Sequence, residues 1–124
     1  MQLKLPVKTF APEVYHENHF SIASDIWAYG IFVWEMFSLG KQPYKKTDRS
    51  LGHFLNNGHR LQKPKASSEQ VYKLIIDCLH HVKEHRHSFT NIIKEIKTIE
   101  DEINIKVLTL LLLTSYLINV FFVL

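Results

Sequence analysis

The sequence is poor in the residues that punctuate and cross-link a chain: of 124 residues, four are glycine, four are proline and one is cysteine. A single cysteine, Cys78, excludes an internal disulfide. It sits at an apolar helical spacing, so it reads as a small buried hydrophobe in a reducing compartment, which favours the cytosol for the folded part. The glycines, Gly30, Gly40, Gly52 and Gly58, are too dispersed to wrap phosphates. No cationic segment followed by an apolar run opens the chain. Positions 1–8 are mixed and broken by Pro6, so secretion through an N-terminal signal is not expected. No block of like charge occurs either, because the net charge of +3 comes from basic residues scattered among acids. Nucleic acid is therefore not an expected partner. No window alternates apolar and polar residues in the way a half-buried strand does, and no internal repeat appears.

What is present is a globular composition, 46% hydrophobic and 22% charged, in a chain long enough for one domain. Pro6 biases the first ten residues toward an extended loop, and Pro12 suits the first turn of a short helix. Ser21 is a candidate N-cap for a helix from Ile22 to Leu39, with Gly40 as its C-terminal stop. Apolar residues surround almost the whole circumference of that helix. It must be buried on all sides or lie in lipid, and Asp25 and Glu35 argue against lipid. Leu51, Phe54 and Leu55 then share one face of a short helix closed by Asn57 and Gly58. Val71, Leu74, Ile75 and Cys78 repeat at i, i+3, i+4, i+7, and Phe89, Ile92, Ile93, Ile96, Ile99 and Ile103 resume the same period. Neither glycine nor proline follows Pro64, so that last helix can continue into the tail. The expected fold is all-α.

Residues 107–124 form an uncharged run of 18 residues, just long enough to cross a bilayer. Three readings stand: a membrane anchor, a hydrophobic helix folded onto the domain, or translated non-coding sequence. As an anchor it would hold the rest of the chain in the cytosol, and Lys94, Lys97 and Lys106 agree with the positive-inside tendency. The expected division is thus 1–104 for the folded body and 105–124 for the tail.

Taken in order, several short motifs resemble the C-lobe of protein tyrosine kinases, with a receptor-type flavour, over about residues 3–103. They are Leu5-Pro6-Val7-Lys8, Ala11-Pro12-Glu13, Ser24-Asp25-Ile26-Trp27-Ala28-Tyr29-Gly30, Trp34-Glu35, Leu39-Gly40, Pro43-Tyr44, Asn57-Gly58, Cys78 and Arg86-His87-Ser88-Phe89. The resemblance implies that Leu5, Pro6 and Val7 position a substrate tyrosine, and that Glu13 pairs with a buried arginine, Arg86. It also implies that Asp25 caps the backbone of the catalytic loop, and that Trp27 and Trp34 fill the core of a central helix. Thr9, Phe10, Leu79 and His87 depart from the family pattern, which implies weakened core packing.

The family transfers the ATP γ-phosphate to protein tyrosine with magnesium. The glycine-rich loop, strand lysine, catalytic-loop aspartate and DFG aspartate that this needs are not in the sequence. The expectation is a C-lobe fragment that is inactive alone and holds no cofactor. Its partners would be a tyrosine-containing peptide, another protein, or a membrane through 107–124. The alternative is a pseudokinase-like, membrane-tethered interaction module. Without the missing residues the central helix would expose an apolar face, so residues 1–104 alone should aggregate or stay molten. His80, His81, His85 and His87 have no zinc spacing and read as a solvated connection. Tyr15, Tyr29, Tyr44, Tyr72 and Tyr116 read as packing residues, and no Ser/His/Asp set points to unrelated chemistry.

Overall fold

A computed structural model describes residues 7–45 and 51–122, with side chains described for residues 8–45 and 51–114. Among the described residues five α-helices follow one another: α1 (Pro12–Glu17), α2 (Ile22–Phe37), α3 (Leu51–Asn56), α4 (Glu69–Cys78) and α5 (Phe89–Phe122). Single 3-10 turns lie at Val7–Thr9 and Lys83–His85, and no strand occurs among the described residues. The chain divides into two units, Met1–Ile92 and Ile93–Leu124; this division falls inside α5 at 92/93, whereas the sequence reading places its boundary at 104/105.

Helix α2 organises the first unit. Its start is fixed locally by Ser21, whose hydroxyl accepts from the Ser24 amide at 3.3 Å while the Ser24 hydroxyl accepts from the Ser21 amide at 2.8 Å. Each serine thereby satisfies a donor that the first turn cannot. Its end differs from the expected one. The helix stops at Phe37, and the first left-handed residue after it is Leu39 (φ 58°), with Gly40 (φ 78°) next. The Gly40 amide reaches the Glu35 carbonyl at 2.9 Å and the Leu39 amide reaches Met36 at 3.2 Å. This Schellman pairing satisfies the last carbonyls but puts a leucine where glycine is cheaper by about 1 kcal/mol.

Ile26, Trp27, Ile31, Val33 and Trp34 of α2 are buried, and α4 is its main neighbour. Helix α4 begins at Ser68, which accepts from the Val71 amide, and it buries the expected stripe of Val71, Leu74, Ile75 and Cys78. The close approach of α2 to α4 depends on Gly30. A Cβ there would lie 2.8 Å from the Cys78 Cβ and 3.1 Å from Leu79 Cδ2, and the Cys78 Cβ is not a flexible end that can swing away. Gly30→Ala should therefore cost about 1 to 3 kcal/mol through overpacking, read as a lower urea midpoint of tryptophan fluorescence. An unchanged midpoint would mean that this contact has room to spare.

Helix α2 exposes an apolar face, as expected of a central helix without the residues that would cover it. Ile22, Phe32 and Met36 are 72%, 53% and 51% exposed, and with Asp25 they form one stripe at helical spacing. The sequence pattern does not show which side is open, because a helix that is apolar on every side does not declare which side lacks a neighbour. The departures from the family pattern are accommodated: Leu79 is buried, His87 Nε2 sits 3.0 Å from Asp77 Oδ2, and Phe10 packs edge-on to Phe20 at 5.2 Å.

Helix α5 is continuous from the amphipathic segment into the apolar one, and the Ser88 hydroxyl accepts from the Asn91 amide at its start. Within the second unit, Ile103, Ile105, Val107, Leu108 and residues 110–113 are exposed. Among the described residues no helix is long and apolar enough to cross a membrane. A transmembrane helix at 107–124, whose last two residues lie outside the described ones, is not supported, nor is the anchoring drawn from it.

Candidate functional site

Two of the residues singled out in the sequence, Glu13 and Arg86, meet at one junction beside the start of α2. Arg86 follows the 3-10 turn at Lys83–His85, and Glu13 lies in the first turn of α1. The two N–H arms of the guanidinium donate to the two carboxylate oxygens, Nη1 to Oε1 at 2.7 Å and Nη2 to Oε2 at 2.8 Å. Their side chains are 1% and 12% exposed. Two further Arg86 N–H groups are also used, Nε toward the His80 carbonyl and Nη1 toward the Ala23 carbonyl, both at 2.9 Å. One side chain thus ties α1, α2 and the loop after α4 together. Burial alone would raise the Glu13 carboxyl, but the hydrogen bonds and charge of Arg86 outweigh it and hold the pKa below the ordinary 4.5.

A second arginine, which the sequence pattern does not single out, completes the junction. Arg60 lies 4.9 Å from the ring centroid of Trp27, and Arg86 lies 5.0 Å from it. Arg60 donates from Nε to the Leu79 carbonyl at 2.7 Å and from Nη1 to the carbonyls of Leu55 at 3.0 Å and His59 at 2.7 Å. The fully buried indole of Trp27 is thus a platform for two cations, of which, among the described residues, only Arg86 has a carboxylate beside it. Burial pulls the Arg60 pKa below its ordinary value. The only sequence signal for this role is a basic residue following Asn57-Gly58, and a lone arginine in a polar loop carries no such information.

The other sequence-predicted residues are placed separately. Leu5 and Pro6 lie outside the described residues, and Val7 opens the first 3-10 turn. Lys8, next in the chain, donates to the Tyr44 carbonyl at 3.4 Å. Asp25 is exposed on the open stripe of α2, and its carboxylate meets no ionic or hydrogen-bonding group among the described residues. Cys78 is buried, and burial reinforced by the Asp77 charge pushes its thiol up to about 12. It stays protonated at neutral pH and is no nucleophile. His80 and His85 stack edge-on at 5.1 Å while His87 turns to Asp77. Among the described residues no group of three or more His, Cys, Asp or Glu converges as metal ligands do.

Two of the clefts formed by described residues of the first unit bear on function. One, of about 310 Å³, adjoins the Glu13–Arg86 pair and includes His16, Glu17, His81 and Lys83; the Lys83 ammonium is 3.6 Å from Glu17. The other, of about 340 Å³, lies at the C-terminal end of α2. Neither contains a glycine-rich turn that could lay backbone N–H groups along a triphosphate.

Comparison with known proteins fits this geometry. Residues 1–96 match the family described as protein tyrosine and serine/threonine kinase. Cytoplasmic tyrosine-protein kinase BMX of Mus musculus is 41% identical over 100 residues, 80% of this chain and 15% of that protein. Vascular endothelial growth factor receptor 1 of Homo sapiens is 34% identical over 95 residues, 75% of this chain and 7% of that protein. A fibroblast growth factor receptor of Ciona intestinalis is 39% identical over 94 residues, 74% of this chain and 12% of that protein. The chain therefore spans at most 15% of the length of these relatives. With its helical body, its Glu13–Arg86 junction and a family match over most of its length, the chain belongs to the protein tyrosine and serine/threonine kinase family and carries part of a kinase domain.

Proposed function

We propose that these residues form the substrate-facing part of a protein tyrosine kinase domain and do not transfer phosphate by themselves. The Glu13–Arg86 pair carries this reading, because it fastens α1 to the rest of the unit, and the segment that resembles the family's substrate-positioning loop immediately precedes α1 in the sequence. In that segment Leu5, Pro6 and Val7 are the residues whose resemblance points to tyrosine, and the tyrosine-kinase names of the relatives agree. Asp25 and the open stripe of α2 are where the nucleotide-binding and catalytic parts of a complete domain would pack, with the Asp25 carboxylate receiving backbone N–H groups of the catalytic loop.

ATP and magnesium belong to that complete domain, and the residues present do not fit them. The sequence has no glycine-rich loop, strand lysine, catalytic-loop aspartate or DFG aspartate, and no carboxylate cluster among the described residues offers magnesium a seat. Purified full-length chain, incubated with γ-labelled ATP and a Glu/Tyr copolymer, should leave the copolymer unlabelled above a no-protein control. Labelling that tracks with the purified chain would sink the reading. The second reading, a non-catalytic interaction module, is favoured by the exposed Ile22, Phe32 and Met36; its membrane-tethered form has no such support.

A further inference from the structure

We propose that the cleft at the C-terminal end of α2 docks a short acidic peptide segment carrying one large apolar side chain. The apolar part of the cleft comes from Trp34, Phe37, Leu39 and Pro64, and Lys41, Lys63 and Lys65 stand around it. All three lysines are exposed. Lys63 has Glu69 at 3.1 Å; Lys41 and Lys65 have no carboxylate within ion-pairing distance among the described residues. The site therefore presents excess positive charge around a greasy floor, which is complementary to carboxylates flanking an aromatic or aliphatic anchor.

Three further observations point the same way. First, the walls are held in place: Trp34 Nε1 donates to the Gln62 carbonyl at 2.8 Å, and the Ser67 hydroxyl and amide both donate to the Pro64 carbonyl, at 2.8 and 3.1 Å. A peptide would meet a shape already formed, which lowers the ordering cost of binding. Second, Leu39 combines two unfavourable features, a left-handed backbone (φ 58°) and an apolar side chain left 87% exposed. Glycine would serve the turn at lower cost, so the leucine contributes nothing to the fold that explains it, whereas at the lip of a docking cleft it adds apolar contact. Third, the volume of about 340 Å³ is at the small end for ligand sites and suits a side chain with its adjoining backbone. Trp34 is recessed, so an inserted side chain reaches it while a flat bilayer surface meets only the lysines and Leu39. That concavity favours a peptide over a membrane.

The test uses the full-length chain and a fluorescein-labelled peptide with a central phenylalanine between pairs of acidic residues, followed by anisotropy. Binding is expected at about 10 to 100 µM in low salt and should weaken as salt rises. Lys41→Glu with Lys65→Glu should weaken it about tenfold, and a charge-reversed basic peptide should in turn prefer that double variant. Leu39→Gly should raise the urea midpoint while weakening the acidic peptide about threefold. Equal affinity of the wild type and the lysine variant for the acidic peptide would overturn the proposal. So would capture of the chain by phosphatidylserine vesicles with no peptide binding, which would make this face a membrane surface instead.

Discussion

Arg86→Ala should abolish the cooperative urea transition of the first unit, or bring its midpoint close to zero denaturant. The side chain makes four hydrogen bonds to three segments, and removing it strands the Glu13 carboxylate in a site where it is 12% exposed. Breaking a buried pair from one side costs about 3 to 5 kcal/mol, a large share of the roughly 5 to 15 kcal/mol that holds a domain together. Arg86→Lys keeps the charge but cannot present two parallel N–H groups to one carboxylate, so it should recover only part of the loss. Full recovery by lysine would show that charge alone, without the fork, holds the junction.

The same pair sets an acid limit. The Glu13 pKa is lowered in the folded state from 4.5, so its contribution is complete above that value and is lost as pH falls through the folded pKa. Glu13→Gln should remove this part of the acid dependence at the cost of a lower midpoint at neutral pH. An unaltered acid limb in that variant would mean other carboxylates dominate it.

Trp27→Ala is the second large effect, at about 3 to 5 kcal/mol for the cavity with a further loss of roughly 1 kcal/mol for each guanidinium left without its ring. The indole is fully buried, and both arginines rely on it. Trp34 remains as the fluorescent reporter of unfolding. Pairing Trp27→Leu with Arg60→Met in a double-mutant cycle should give a coupling of about 1 kcal/mol. A coupling near zero would reduce the stack to ordinary core packing and leave Arg60 as a loop tie.

The helices were legible because their causes are local. Ser21 and Ser68 cap α2 and α4 through their own first turns, and the four-residue stripe of α4 carries a helical period that survives any tertiary context. Glu13 and Arg86 were legible only together with the motifs around them, since 73 residues separate them and neither residue type predicts a partner at that distance. Asp25 was legible as a helix-start acid, and the structure adds only that it stands on the open stripe. Arg60 was not legible: its role comes from three carbonyls and a ring that the fold gathers around it. The docking cleft was also hidden, because Lys41 lies far in sequence from Lys63 and Lys65.

By itself the sequence determined the all-α class, the position and polarity of the helices and membership of the kinase family, since period, caps and motif order are properties of the chain alone. The tertiary structure decided which side of α2 stays uncovered, where that helix stops and how two arginines share one indole. A helix that is apolar on every face can pair with neighbours through any of them. A guanidinium finds its acceptors only when distant loops have been brought within 3 Å of it by the burial of everything else.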